Sequence, residues 1–87
     1  MAKRRVKETG KDSLGRITEL CNYDEYWSPR KSEDAIKDIE NGYHEYYVIE
    51  NHQEVKIVVI NDKIKGKYLR TDPDKTRSNN LDYLPDC

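Results

Sequence analysis

The stretch Glu54 to Ile60 (EVKIVVI) constrains this chain more than any other. In an extended conformation Val55, Ile57 and Val59 point one way and Val58 and Ile60 the other, with Lys56 the only polar interruption. A strand apolar on both faces is normally central and covered on both sides. At about 25 cal/mol per Å² of apolar surface, leaving several such side chains in water forgoes several kcal/mol. The rest of the chain must therefore supply two covers.

One cover is a helix. Ser32 is placed to accept from the free amides of a first turn, and Glu33 and Asp34 suit the positive end of its dipole. Ala35, Ile36 and Ile39 form a narrow apolar stripe, with Lys37, Asp38 and Glu40 outside it. Gly42 sits where a left-handed cap ends such a helix. No other segment reads as a helix, so the second face must be closed by the C-terminal segment, by Trp27 and its loop, or by a second copy.

The C-terminal segment is favoured. Between Tyr68 and Cys87 the apolar residues Leu69, Leu81, Tyr83 and Leu84 are separated by Asp72-Pro73-Asp74 and Ser78-Asn79-Asn80. Both triplets read as turns, because proline presets φ and Asp or Asn side chains bond nearby amides. This favours a monomer, with a homodimer as the other way to close the sheet.

The remaining elements are strands. Lys3–Thr9 reads as a lysine-rich edge strand. Turn residues 10–15 join it to a second strand over Arg16–Asn22. Ile17 and Leu20 have opposite parity there, which calls for a bulge or for two partly covered faces. A loop over 23–30 precedes the helix. Strands at Tyr43–Glu50 and Glu54–Ile60 flank the turn Asn51-His52-Gln53, and a last strand spans about Lys67–Thr71. The expected fold is a single α+β domain over 1–87: a small, mostly antiparallel sheet in the order β-β-α-β-β-β, one helix on one face, and the C-terminal segment packed back on the core.

Composition decides between order and disorder. Leu, Ile, Val and Phe total 17 of 87 residues, few enough for disorder to be considered. Disorder also calls for a large net charge, and 16 basic against 17 acidic groups leave −1. Seven Tyr and one Trp add burial area. The charge is polarised: +4 over residues 1–16, −6 over 17–60 and +1 over 61–87. Overall neutrality argues against strong nonspecific DNA binding. No apolar run is long enough to span a membrane and MAKRRVKETG has no signal-like apolar core, so cytoplasmic location is the expectation. Cys21 and Cys87 are too few for a disulfide framework, and reduced thiols are expected in that compartment.

The order of motifs resembles a small uncharacterised bacterial family catalogued as domain of unknown function 3892. The likeness is carried by Ile17-Thr18-Glu19-Leu20, Trp27-Ser28, Ala35-Ile36 with Ile39-Glu40-Asn41-Gly42, and Tyr46-Tyr47-Val48. It continues in Tyr68-Leu69-Arg70-Thr71 with Pro73-Asp74, and in Asn79-Asn80-Leu81-Asp82 with Leu84-Pro85. The resemblance implies no activity and no catalytic residues.

The residues themselves give little support to catalysis. His44, His52, Cys21 and Cys87 lack metal-ligand spacing, and no metal or cofactor is expected. Asp72-Pro73-Asp74 begins like a calcium loop, but Arg77 stands where the tight turn needs glycine. Ser13, Ser28, Ser32 and Ser78 read as turn or cap residues, and no nucleophile elbow is present. The expected function is a non-enzymatic protein-interaction module with an unidentified protein partner. Its alternative is a single-stranded nucleic-acid binder using Lys63, Lys65, Lys67 and Arg70 around Tyr68, where phosphate neutralisation combines with base stacking. Lys3, Arg4, Arg5 and Lys7 extend that patch if the first and last strands are neighbours. Tyr26, in the loop that also holds Tyr23 and Trp27, completes the candidate surface, since Tyr and Trp are favoured at interface hot spots.

Overall fold

Adjacent amides at Val6 and Lys7 hand the chain from one sheet to another. The N–H of Val6 donates to Tyr47 O at 2.8 Å and that of Lys7 to Cys21 O at 2.9 Å. The segment expected as one strand over 3–9 is thus two: β1 (Ala2–Arg5) and β2 (Glu8–Lys11). Arg4 and Val6 are buried with one parity and Thr9 and Gly10 break it, so no single pleat serves the whole segment. These relations come from a computed structural model that describes residues 2–73 and 80–87.

After β2 come β3 (Ile17–Cys21), the short β4 (Arg30–Lys31), α1 (Ser32–Glu40), β5 (His44–Glu50), β6 (Gln53–Asp62), β7 (Gly66–Thr71) and a 3₁₀ turn over Asn80–Tyr83. Four strands form one sheet in the order β1-β5-β6-β7, and three form another in the order β2-β3-β4. β1 runs parallel to β5, and the other pairings between strands are antiparallel. The α+β class, the mostly antiparallel pairing and a single α-helix among the described residues agree with the sequence reading.

Local chemistry explains the turns. Asn51 and His52 both hold positive φ, the two-residue hairpin geometry whose twist matches its strands. In the β6–β7 connection, Asp62 Oδ1 accepts from the amides of Ile64 and Lys65. Those bonds hold its carboxyl below the usual range, the Lys65 amide contributing most. The β2–β3 ladder pairs Gly10 with Glu19 and Lys11 with Ile17, leaving Thr18 extra. That is the bulge, one of the two arrangements the parity of Ile17 and Leu20 allows. A Cβ at Gly10 would lie 3.0 Å from Glu19 Oε1 and 3.1 Å from Thr18 Oγ1, so a larger residue there would need those side chains to shift.

The helix follows its apolar stripe, with two corrections. Ser32 is its first residue rather than its cap; the N-cap is Lys31, which makes no side-chain cap bond. Asp38 is not on the outer face but is only 4% exposed, because two arginines and a tyrosine converge on it. Gly42 has φ +72° and ends the helix as anticipated.

One core joins everything. Val48, Val55, Ile57 and Leu69 from the four-stranded sheet meet Leu20, Ala35 and Leu81, with Ile36, Ile39, Val59 and Leu84 packed around them. The C-terminal segment therefore packs back on the core, but on the same side as α1. Leu81 is fully buried there, and the Asn80 amide donates to Thr71 Oγ1 on that face. Among the described residues, 80–87 do not provide the second cover of β6: Val58 and Ile60 are half-buried and outside the core cluster. The proposed turns Asp72-Pro73-Asp74 and Ser78-Asn79-Asn80, with Arg77, fall largely on residues 74–79, outside the described residues.

The cysteines also depart from expectation. They form a Cys21–Cys87 disulfide rather than free thiols. Residues 85–87 lie along β2, where Thr9 donates to Pro85 O and the Cys87 amide donates back to Thr9 O. Since Glu8 is in register with Cys21, this pairing carries Cys87 to the end of β3.

Candidate interaction surface

The face of the four-stranded sheet turned away from α1 is built by ladder register. Residues opposite one another share a face: Tyr47 with Lys56, Ile49 with Glu54, Val58 with Arg70, and Ile60 with Tyr68. None of these residues belongs to the core cluster. Tyr47, Ile49, Val58, Ile60 and Tyr68 thus form an apolar and aromatic centre that is half-buried at most sites and exposed at Ile49.

Charges border this centre. Lys3 lies over the Tyr47 ring at 5.3 Å and bonds Glu54 at 2.6 Å; the Glu54 hydrogen bond holds its ammonium above the usual lysine range. Lys56 approaches Glu45 at 3.8 Å. Arg5 and Arg70 have no acidic partner among the described residues. Arg70 Nε donates to Thr71 O, while its Nη2 is buried without an acceptor.

A buried ionic network lies on the core side of β1 and β5. Asp38 on α1 accepts from Arg30 through Nε at 3.0 Å and Nη2 at 2.9 Å, a bidentate fork. Tyr46 Oη donates to Asp38 Oδ2 at 2.6 Å and accepts from Arg4 Nη1 at 2.9 Å. Arg4 also donates to His44 Nε2 at 3.2 Å, which requires that nitrogen to be unprotonated. The Arg4 guanidinium lies 5.5 Å from the Trp27 ring and 5.7 Å from that of Tyr46, and the two rings meet edge to face.

The electrostatics follow from this geometry. Burial pushes the Asp38 carboxyl up, but the Arg30 fork and the Tyr46 hydroxyl outweigh it, and the group sits below the usual range. The Tyr46 phenol is raised, first by burial and then by Asp38. Both groups are therefore held in fixed protonation states near neutrality, Asp38 as anion and Tyr46 as donor. The network ties β1 to α1.

The comparison with family models decides the chain's kinship, because one model spans residues 3–85, from β1 to the segment laid along β2. The chain belongs to the family described as Protein of unknown function (DUF3892). No curated protein matches it, and no solved structure does.

Within this DUF3892 domain the residues singled out from sequence are dispersed. Tyr68 and Arg70 do lie together on the far face. Lys67 points to the helix side, where it bonds Glu40 at 2.8 Å. Lys63 and Lys65 are exposed in the β6–β7 turn. Tyr26 is 90% exposed in the loop whose Trp27 packs by β1 and β5, away from β7. The first and last strands are opposite edges of their sheet, about 14 Å apart at three interstrand spacings. The N-terminal basic residues therefore do not extend the 63–70 patch. Arg4 is buried and Lys7 bonds Asp24. Among the described residues no group of three or more His, Cys, Asp or Glu is arranged to hold a metal ion. No described helix is long and apolar enough to cross a membrane.

Sequence reading missed the buried network. Arg4, Asp38 and Tyr46 each occupy a core-facing position of their element, but their partners come from other elements, and charge alone assigned Arg4 and Asp38 to the surface.

Proposed function

We propose that this domain is a non-enzymatic protein-interaction module that docks through the sheet face opposite α1. The observation that supports this reading is the contiguous row of Tyr47, Ile49, Val58, Ile60 and Tyr68 outside the core cluster. Arg5 and Arg70, which have no acidic partner among the described residues, suit a partner whose apolar patch is bordered by carboxylates. A non-enzymatic role agrees with Asp38 and Tyr46, which hold one another and two arginines instead of presenting a free base to a cavity. Cytoplasmic residence belongs to this reading, and there the Cys21–Cys87 bond is a redox-responsive element rather than a permanent staple.

Affinity capture with the wild-type domain, an Ile60→Asp/Tyr68→Asp variant and a Leu14→Asp control tests this. The captured protein stays with wild type and control and is lost from the face variant, whose thermal unfolding shows it still folded. Retention by the folded face variant refutes the assignment.

One observation favours a second reading, single-stranded nucleic acid: Tyr47 and Tyr68 share their face with Arg5 and Arg70. Oligonucleotide titration at rising salt separates the two. Affinity that falls steeply with salt and weakens in Arg70→Glu or Lys65→Glu moves the assignment to nucleic acid.

A further inference from the structure

Residues 85–87 occupy the outer edge of β2. Thr9 spends both of its backbone groups on them, its N–H on Pro85 O at 3.0 Å and its C=O on the Cys87 amide at 3.2 Å. Its side-chain hydroxyl donates to Leu81 O. Thr9 and Asp86 form a parallel bridge, so this segment acts as an additional strand of the β2-β3-β4 sheet. Lys11 adds bonds to Leu84 O and Asp86 Oδ1, but Asp86 is largely exposed and such a pair contributes little.

The strap is thus held by few backbone bonds and by one covalent link, Cys21–Cys87. The two sulfurs differ in access: Cys21 is buried, 1% exposed, and Cys87 lies at the surface. Exchange rates depend on which sulfur an attacking thiolate can reach. Leu81 is fully buried and anchors the segment upstream.

We propose that Cys87 is a thiol–disulfide exchange site and that its state decides whether residues 85–87 cover the β2 edge. A small thiol, as its thiolate, attacks Cys87 Sγ; the Cys21–Cys87 bond breaks and Cys21 departs as a thiolate that takes a proton from water. A second thiol attacks the mixed disulfide, freeing the Cys87 thiol and yielding the oxidised small-molecule disulfide. The protein disulfide gains two electrons from the two small thiolates and two protons from solvent, which balance the two protons those thiols release on ionising. Without the covalent closure the strap opens locally about Leu81, exposing the N–H and C=O of Thr9 as an unpaired strand edge. The proposal rests on the redox-responsive reading of this bond and not on the docking face, and its test does not involve a partner.

Amide hydrogen exchange resolved at single residues, on the oxidised domain, on the domain reduced with dithiothreitol, and on Cys87→Ser, tests it. Reduction and Cys87→Ser accelerate exchange of the Thr9 and Cys87 or Ser amides by at least about tenfold, while β5 and β6 amides stay protected. Oxidised glutathione restores slow exchange in the reduced wild type and not in Cys87→Ser. Unchanged Thr9 protection after reduction overturns the proposal, as does loss of protection throughout β5 and β6. Alkylation showing free thiols in the air-oxidised domain overturns it as well.

Discussion

Tyr46 and Asp38 meet through a 2.6 Å hydrogen bond inside the core, and the same hydroxyl accepts from Arg4. A single phenolic oxygen thus connects the helix, through Asp38, to the edge strand, through Arg4. Tyr46→Phe keeps the ring but leaves Asp38 short of one donor and Arg4 of one acceptor. The expected loss is about 1–3 kcal/mol, read from urea unfolding. A double-mutant cycle with Arg4→Met should show coupling, since the two share one bond.

Asp38→Asn weakens the Arg30 fork and leaves both arginines without their buried counter-ion. About 3 kcal/mol should be lost at neutral pH, at the low end for a broken buried pair because Arg30 keeps some solvent contact. The folded carboxyl titrates below its ordinary value, so its contribution is complete above about pH 4 and is lost as pH falls through the folded value. The stability gap between wild type and Asp38→Asn should therefore be constant from about pH 5 to 7 and narrow in stronger acid. Urea midpoints across that range check both statements.

The helix start gives a paired prediction. Ser32→Ala should change stability by less than about 0.5 kcal/mol, because Ser32 is inside the first turn and caps nothing. Lys31→Asp should stabilise by about 0.5–1 kcal/mol, since the N-cap site has extended geometry and no side-chain acceptor. Thermal melts of the two variants, with opposite outcomes if Ser32 were the cap, settle the matter.

Leu81→Ala tests whether the C-terminal segment belongs to the core. Its side chain is fully buried, and truncation should cost about 2–5 kcal/mol. Tyr83→Ala, two residues on and 77% exposed, should cost less than about 0.5 kcal/mol. Chemical denaturation of the pair distinguishes a packed segment from a loosely attached one.

Much of this architecture is legible from residue pattern. The alternation of Val55, Ile57 and Val59, the stripe of Ala35, Ile36 and Ile39, and Gly42 located β6 and α1 closely, because each encodes a local period or a backbone constraint. Of the two readings the parity of Ile17 and Leu20 allowed, a bulge or two partly covered faces, the ladder shows the bulge, at Thr18. What escaped is non-local. The division of residues 3–9 between two sheets depends on partners about 40 and about 14 residues away, and no local period reports it. The burial of Asp38 depends on Arg4 and Arg30 arriving from other elements, so composition placed it in water. The far sheet face was identified through Val58 and Ile60, but Leu81 and Leu84 of the segment expected to cover it lie on the helix side, because one strand cannot say which side a following segment takes. On the candidate surface Tyr68 and Arg70 share the far face, while Lys67, of opposite strand parity, lies on the helix side.

The hand-off at Val6 and Lys7 has a mechanical consequence. Consecutive peptide groups are stitched to different layers, so neither layer can be peeled away while its mate remains intact. Melting should register as one event, with no half-dismantled species accumulating between the native and denatured ensembles.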